Sequence, residues 1–252
     1  MANTLQKKII DYLKPIAKDL SVADVRIGLG YTTVRLNNGN IGLAWTAPSH
    51  PGSCTHEAKA GTLAERPAEE LLEMLASPHN PLSRSIGLAT ANALSAGLPR
   101  PETTTTDALE LANVQASDHV VMVGFFGPLV PRLRKLGCRL DILELENDRP
   151  DTLPPEKGRA ALAECNVAII TATSIITGTL DQLLSNLGSP RVVILLGPST
   201  FMDPTVFAGT PVTHIAGARI RNATAVERVV SEGGGTRILK QFMDFETICL
   251  KP

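Results

Sequence analysis

The sequence predicts a mixed α/β protein in two parts. An α+β domain over residues 1–103 precedes a domain with a mainly parallel sheet over residues 104–252. Three observations carry this. Three short β-rich pieces lie close together early in the chain, and five short apolar runs later on are separated by helical stretches. Between them the segment "AGLPRPETTTTDALE" (96–110) is rich in Pro and Thr and marks the boundary.

The elements follow in order. "MANTLQKKIIDYLKPIAKDL" puts Leu5, Ile9, Ile10, Leu13 and Ile16 on one side of a helix with Lys and Asp opposite. That pattern is unlike the continuous apolar core of a signal peptide. "SVADVRIGLG", "YTTVRLNN" and "NIGLAWTA" then read as a small antiparallel meander, with Asn38-Gly39 as the turn between the last two. A loop rich in Pro, Ser and His (47–61) leads to a helix opened by Pro67 and reaching about Ala76, and Leu82 to Ser95 forms another. Beyond the boundary, Asp107 or a preceding Thr is the N-cap of the next helix. "HVVMVG", "RLDILEL", "VAIITAT", "VVILLG" and "VTHIAG" then alternate with helical stretches, the pattern of βαβ units, so this domain is expected to be Rossmann-like. "ATAVERVVSE" is a late helix and "FETICL" a final strand.

Composition narrows the function. With 252 residues the chain can bury a substantial core, and 24 basic against 25 acidic residues leave it near neutral. No Lys/Arg cluster or aromatic-basic stripe suits a phosphate backbone, so nucleic acid is not an expected partner. Every apolar run is broken well before the ~20 residues of a membrane span. The four cysteines, Cys54, Cys138, Cys165 and Cys249, show no CxxC pair, as expected of thiols in a reducing cytosol. A soluble cytoplasmic protein is expected. The edge of the small antiparallel sheet suggests a homodimer.

In an open parallel sheet, ligands bind outside the carboxyl ends of the strands. That rule selects Gly124 to Pro128 after the first strand, Glu144 or Glu146 after the second, Thr171 to Thr179 after the third, Gly197 to Thr200 after the fourth and Ala216 to Ala218 after the fifth. It sends His119 and Arg191, which begin their strands, to the opposite rim. "GFFGPLV" contains Gly124, Phe125, Phe126, Gly127 and Pro128 but lacks the third glycine of GxGxxG, and a tight strand-to-helix turn accounts for it equally. Glu144 lies 20 residues after Gly124, where a dinucleotide-binding fold keeps a ribose-binding acid; a solvated strand-end carboxylate is the plainer reading, and Glu146 competes. "TATSIITGTLDQLL" carries five hydroxyls, including Thr171, Thr173, Ser174 and Thr179, before a helix expected to begin near Thr177 or Thr179, whereas one Thr would suffice to cap it. In "VVILLGPST", Gly197 and Pro198 shape a turn whose Ser199 and Thr200 offer hydroxyls and amides to an anion or polar ring edge. His50, Cys54 and His56, within seven residues, are candidate transition-metal ligands, with a plain surface loop as the competing reading and Glu57 as a further ligand or base. His79, in "SPHNP", reads as structural, and "GGG" at 233–235 as a helix C-cap.

Taken together, "GLGYTTVRLNNGNIGLAW", "SIGLATANALS", "VVMVGFFGPLV", "AIITATSIITGTLDQLL", "VVILLGPST" and "SEGGGT" resemble a two-part family, domains of unknown function 4213 and 364, labelled "putative heavy-metal chelation". The resemblance spans nearly the whole chain. It implies an enolase-N-terminal-like domain followed by a Rossmann-like domain, with a small-molecule site between them that handles pterin, flavin or siderophore-like chelators. Carried over by motif, the site residues it implies are Tyr31 and Thr32, Asn92, Gly124 to Pro128, Thr171 to Ser174, Thr179 and Gly197 to Thr200. The family pattern implies Asn where this chain has Thr177, a loss of one amide that points to altered ligand selectivity.

Three functions follow as expectations. The first is an enzyme or binding protein for a small polar, heteroaromatic, metal-chelating molecule in the interdomain cleft. No nucleophile–base pair is readable, so the sequence assigns no catalytic mechanism; condensation or hydrolysis assisted by hydroxyl and amide donors is the expected chemistry if the protein is an enzyme. The second is an S-adenosylmethionine-dependent methyltransferase, against which the missing glycine-rich loop counts. The third is direct sequestration of a transition metal by His50, Cys54 and His56.

Overall fold

Thr4 starts the first helix, its hydroxyl accepting the Lys7 N–H, and α1 (Leu5–Ala17) buries Leu5, Ile9, Ile10 and Leu13 on one stripe. A computed structural model describes residues 4–48, 56–78, 80–99, 101–144 and 151–250. After α1 comes an antiparallel sheet of β1 (Val22–Ile27), β2 (Tyr31–Leu36) and β3 (Ile41–Trp45) in that order. Gly39, at φ 88°, makes the Asn38-Gly39 turn between β2 and β3 without the strain a side chain would bring.

This sheet lacks the polar-out alternation of a solvated meander because both faces are covered. On one face packs α3 (Pro81–Ser95), begun by Asn80, whose side chain accepts the Leu82 and Ser83 N–H groups. Small residues let it approach closely. A Cβ on Gly42 of β3 would lie 2.0 Å from the Ala89 carbonyl oxygen and 2.3 Å from the Ala93 nitrogen. One on Gly87 would lie 2.2 Å from the Leu75 nitrogen, in the short 3-10 turn Met74–Ala76 that continues α2 (Ala68–Glu73). The other face carries α9 (Ala223–Ser231) around Tyr31, Leu43, Val226 and Val230.

The second half begins with α4 (Ala108–Leu111), capped by Asp107 through the Leu109 N–H at 3.0 Å. Then follow β4 (His119–Val123), α5 (Val130–Leu136), β5 (Arg139–Leu143), α6 (Pro155–Glu164), β6 (Val167–Thr171), α7 (Thr173–Thr177), α8 (Leu180–Ser185), β7 (Val192–Leu196), β8 (His214–Ile220), α9, α10 (Thr236–Leu239) and β9 (Met243–Cys249). They form a six-stranded sheet in the order β5-β4-β6-β7-β8-β9, parallel except for β9. The chain leaves β4 for β5 on one side and returns to β6 on the other. The strand order therefore reverses between β4 and β6, where loops at the carboxyl ends diverge and leave a crevice.

The helix expected to begin near Thr177 or Thr179 is α8, which starts at Leu180 with Thr179 at its N-cap position; a shorter helix that the sequence did not announce, α7, precedes it and is closed by Gly178 at φ 73°. One expectation changes. Ala216 to Ala218 lie inside β8 instead of after it, held there by pairing with Thr247, Glu246 and Phe245 of β9. His119 and Arg191 stand at the opposite rim as the sequence implied: His119 Nε2 lies 2.7 Å from Asp141 and Arg191 pairs with Asp118. Gly233, at φ 77°, terminates α9.

One core runs through both halves, joining Leu5, Ile9 and Leu13 of α1 to Ile175, Ile176 and Phe207. Polar ties reinforce it. The Leu5 N–H donates to the Asp181 carboxylate at 3.1 Å, Gln6 to the Ile175 carbonyl at 2.6 Å, and the Tyr12 hydroxyl to Asp203 at 2.8 Å. Among the described residues no helix is long and apolar enough to cross a membrane.

The contact of α3 with β3 is testable. Gly42→Ala forces a methyl against helix backbone and is expected to cost about 3 kcal/mol, the upper range for overpacking. Gly39→Ala, with nothing within 4 Å of the new Cβ, carries only left-handed backbone strain of about 1–2 kcal/mol. Urea unfolding midpoints check the difference; equal losses at the two positions would contradict the close approach.

Candidate functional site

At the reversal between β4 and β6, the strand ends enclose a cavity of about 770 Å³. Its size falls within the range of small-molecule sites. Gly124 follows β4 at φ 86°, and its missing side chain matters, since a Cβ would lie 3.0 Å from Thr171. The Gly124 N–H donates to the Leu143 carbonyl at 2.8 Å, which seats Glu144, the next residue of the neighbouring strand, directly beside this turn. Both Gly124 and Glu144 line the cavity, with Phe125 alongside.

The third wall is the hydroxyl-rich start of α7. Thr171 and Thr173 share a hydroxyl–hydroxyl hydrogen bond of 3.0 Å, and the Ser174 hydroxyl donates to the Thr171 carbonyl at 2.6 Å. Two hydroxyls joined by one bond use one of their two protons, so either orientation leaves an O–H for a ligand. The Thr177–Thr179 pair, 2.9 Å apart, is spent, because Thr177 also donates to the Ser174 carbonyl. It offers acceptors only.

The roof comes from the other sheet. Trp45, at the end of β3, lines the same cavity, as do Leu143, Leu153, Leu162 and Leu183. Among the described residues the Glu144 carboxylate and the Trp45 indole N–H have no hydrogen-bond or ion-pair partner. Arg159, exposed on α6, is the single cation among the described lining residues.

The sequence candidates therefore divide. Gly124, Phe125, Glu144, Thr171, Thr173, Ser174 and Thr179 meet in this cavity. Phe126, Gly127 and Pro128 continue the turn outside it, the last two exposed. Asn92, Pro198 and Thr200 border a second cavity of about 340 Å³ between α3, β3 and β8. Tyr31 and Thr32 lie within β2: the Tyr31 hydroxyl shares a 2.6 Å hydrogen bond with Thr236, and Thr32 shares one of 2.9 Å with Thr46. Burial pushes the Tyr31 phenol above its ordinary range, with the Thr236 hydrogen bond opposing, so it stays protonated.

Ser199 and Thr200 are each only 2% exposed. Ser199 Oγ accepts the Trp45 backbone N–H at 2.8 Å, Asn92 donates to the Leu43 carbonyl at 2.8 Å and the Ser199 carbonyl at 3.4 Å, and the Thr200 hydroxyl lies 2.7 Å from the Gly197 carbonyl. These groups tie the end of β3 to the turn at Gly197, φ 134°, after β7. They hold Trp45 in place.

The sequence reading passed over Trp45, Arg159, Gln182 and Asn186, which also line the larger cavity. Trp45 carried a signal: it is the single tryptophan of the chain and ends an otherwise aliphatic strand. The two amides, one and two turns along from Thr179, follow from helical spacing once α8 is known.

For a metal, the larger cavity offers one carboxylate, hydroxyls and amides, and no imidazole or thiol among its described residues. That donor set does not match a soft or borderline heavy metal held directly by side chains. No group of three His, Cys, Asp or Glu side chains suited to a metal occurs among the described residues. His50, Cys54, His79 and Glu146 lie outside them. Glu57, beside His56, is buried and accepts the Ser83 hydroxyl at 2.7 Å.

Residues 107–249, more than half of the chain, match the DUF364 family and residues 10–95 match DUF4213, both described as "Putative heavy-metal chelation". The chain belongs to this two-part family. An uncharacterised protein of Methanocaldococcus jannaschii is 26% identical over 225 residues, 86% of this chain and 85% of that one. Two solved structures share the fold: a DUF364 protein of unknown function from Pyrococcus horikoshii (TM-score 0.85, 24% identity, 98% of this chain, 100% of that one) and another from Desulfitobacterium hafniense (TM-score 0.79, 24% identity, 97% and 98%). In this DUF364 chain the hydroxyl of Ser199 is engaged inside the fold, which predicts a structural phenotype. Ser199→Ala removes the acceptor of the Trp45 backbone N–H and is expected to cost about 1–3 kcal/mol in urea unfolding, with a shifted Trp45 emission. An unchanged midpoint and spectrum would contradict the tie.

Proposed function

We propose that the protein binds a small polar heteroaromatic molecule of the metal-chelating kind, a pterin, flavin or siderophore-like compound, in the larger cavity. The family description supplies the chelation theme. One observation carries the choice of cavity: Trp45, Phe125, Glu144 and the hydrogen-bonded Thr171–Thr173 pair line one cavity where the strand order reverses. Such a mixture of aromatic walls and a few placed polar groups is what small-molecule sites use for affinity and orientation. The fold reading that accompanies it is an enolase-N-terminal-like module covering a Rossmann-like one, supported by the antiparallel and mainly parallel sheets respectively.

In this account the metal arrives inside the organic ligand, since the cavity's own donors are hard oxygens and amides. The lining residues bind and orient. Any chemistry there would be condensation or hydrolysis in which the hydroxyl and amide donors stabilise developing charge.

Trp45 reports occupancy directly, being the only tryptophan. Titration with pterins, flavins and metal-loaded chelators is expected to quench its emission saturably for at least one class. Thr173→Ala or Glu144→Gln should then weaken that ligand about tenfold or more, as for loss of a hydrogen bond in a desolvated site. Affinity unaffected by both substitutions and by Trp45→Phe, measured calorimetrically, would remove the assignment.

A further inference from the structure

The walls of the larger cavity are chemically unequal, and the inequality narrows the ligand. The end nearest β5 carries an acceptor with two open oxygens, Glu144, with no partner among the described residues. A carboxylate takes two converging donors best, and a vicinal diol presents two O–H groups at that spacing. Glu144 also stands where a parallel sheet presents an acid to a sugar: just past the end of β5, next to Leu143, whose carbonyl accepts the Gly124 N–H at 2.8 Å. The roof is Trp45 of β3, an aromatic side chain suited to a flat heteroaromatic base.

A phosphate chain has no matching cradle. Pro128 lacks an N–H, α5 has only seven residues, and one exposed cation, Arg159, is the only positive charge among the described lining residues. Polyphosphates in such folds rest on glycine-rich backbone amides and a helix N-terminus, and a nearby carboxylate repels them.

We propose that this cavity is a nucleoside site, with the ribose vicinal diol accepted by Glu144, the base against Trp45 and no polyphosphate. It rests on the choice of cavity above and not on the chelator class proposed for it. A nucleoside joined to a cationic or zwitterionic tail fits the same description.

The test uses the full chain and Trp45 emission, with calorimetry as a second readout. Adenosine, guanosine, cytidine and uridine are titrated beside their 2′,3′-dideoxy counterparts, together with ATP, S-adenosylmethionine and a pterin, into wild type and Glu144→Gln. Far-ultraviolet circular dichroism confirms that the variant is folded. At least one ribonucleoside or S-adenosylmethionine is expected to saturate. The dideoxy form should bind at least tenfold more weakly to wild type, the gap should fall below about threefold in Glu144→Gln, and ATP should bind more weakly than adenosine. Equal affinity for ribose and dideoxyribose forms in wild type overturns the inference, as does tighter binding of ATP. Saturation by the pterin with none by any nucleoside overturns it while leaving the cavity reading standing. Silence from every probe by both readouts overturns both.

Discussion

The close approach of α3 to β3 at Gly42 is the contact on which the remaining geometry depends. A helix whose Ala89 carbonyl and Ala93 nitrogen sit where a Cβ would be cannot slide along the strand. It fixes the height of β3, and β3 ends in Trp45. The other side of α3 meets the second half of the chain, where the Arg84 guanidinium donates to the Ile176 carbonyl of α7. One helix thus sets the position of the roof and touches the hydroxyl-bearing wall of the same cavity. Core packing at native density transmits such a constraint because it leaves no room for adjustment.

Polar residues at the ends of parallel strands have two competing uses. They can face a ligand, or they can satisfy backbone groups where a second layer packs down on the rim. Both occur here, one strand apart. The Thr171–Thr173 pair keeps a proton free beside the cavity, whereas Ser199 and Thr200 spend theirs, or their lone pairs, on Trp45, Gly197 and Ala216. The difference is set by what lies above each loop: open crevice over β4–β6, and β3 with Asn92 over β7.

That contrast explains what was legible in the sequence. The inner strands β4, β6 and β7 were visible as short aliphatic runs, because a strand buried on both faces leaves little choice of residue. The Asn38-Gly39 turn, the Asp107 cap and the Gly233 stop were visible because backbone geometry dictates their residue types. The helix after Thr179 was visible, whereas α7 was not, because a single turn closed by Gly178 is too short to show a periodic pattern. Which hydroxyls point into a cavity is a tertiary fact, and "TATS" and "GPST" look alike until the second layer is in place. Trp45 was hidden for the same reason: it belongs to one sheet and serves a cavity in the other.

The central claim is that the ligand occupies the crevice between β4 and β6. A crystal structure of protein purified without harsh dialysis, retaining whatever it binds in the cell, tests this most directly. The account predicts ligand density bounded by Trp45, Gly124, Glu144 and Thr173. Density instead in the smaller cavity beside Asn92 and Thr200, with only water in the larger one, would contradict it.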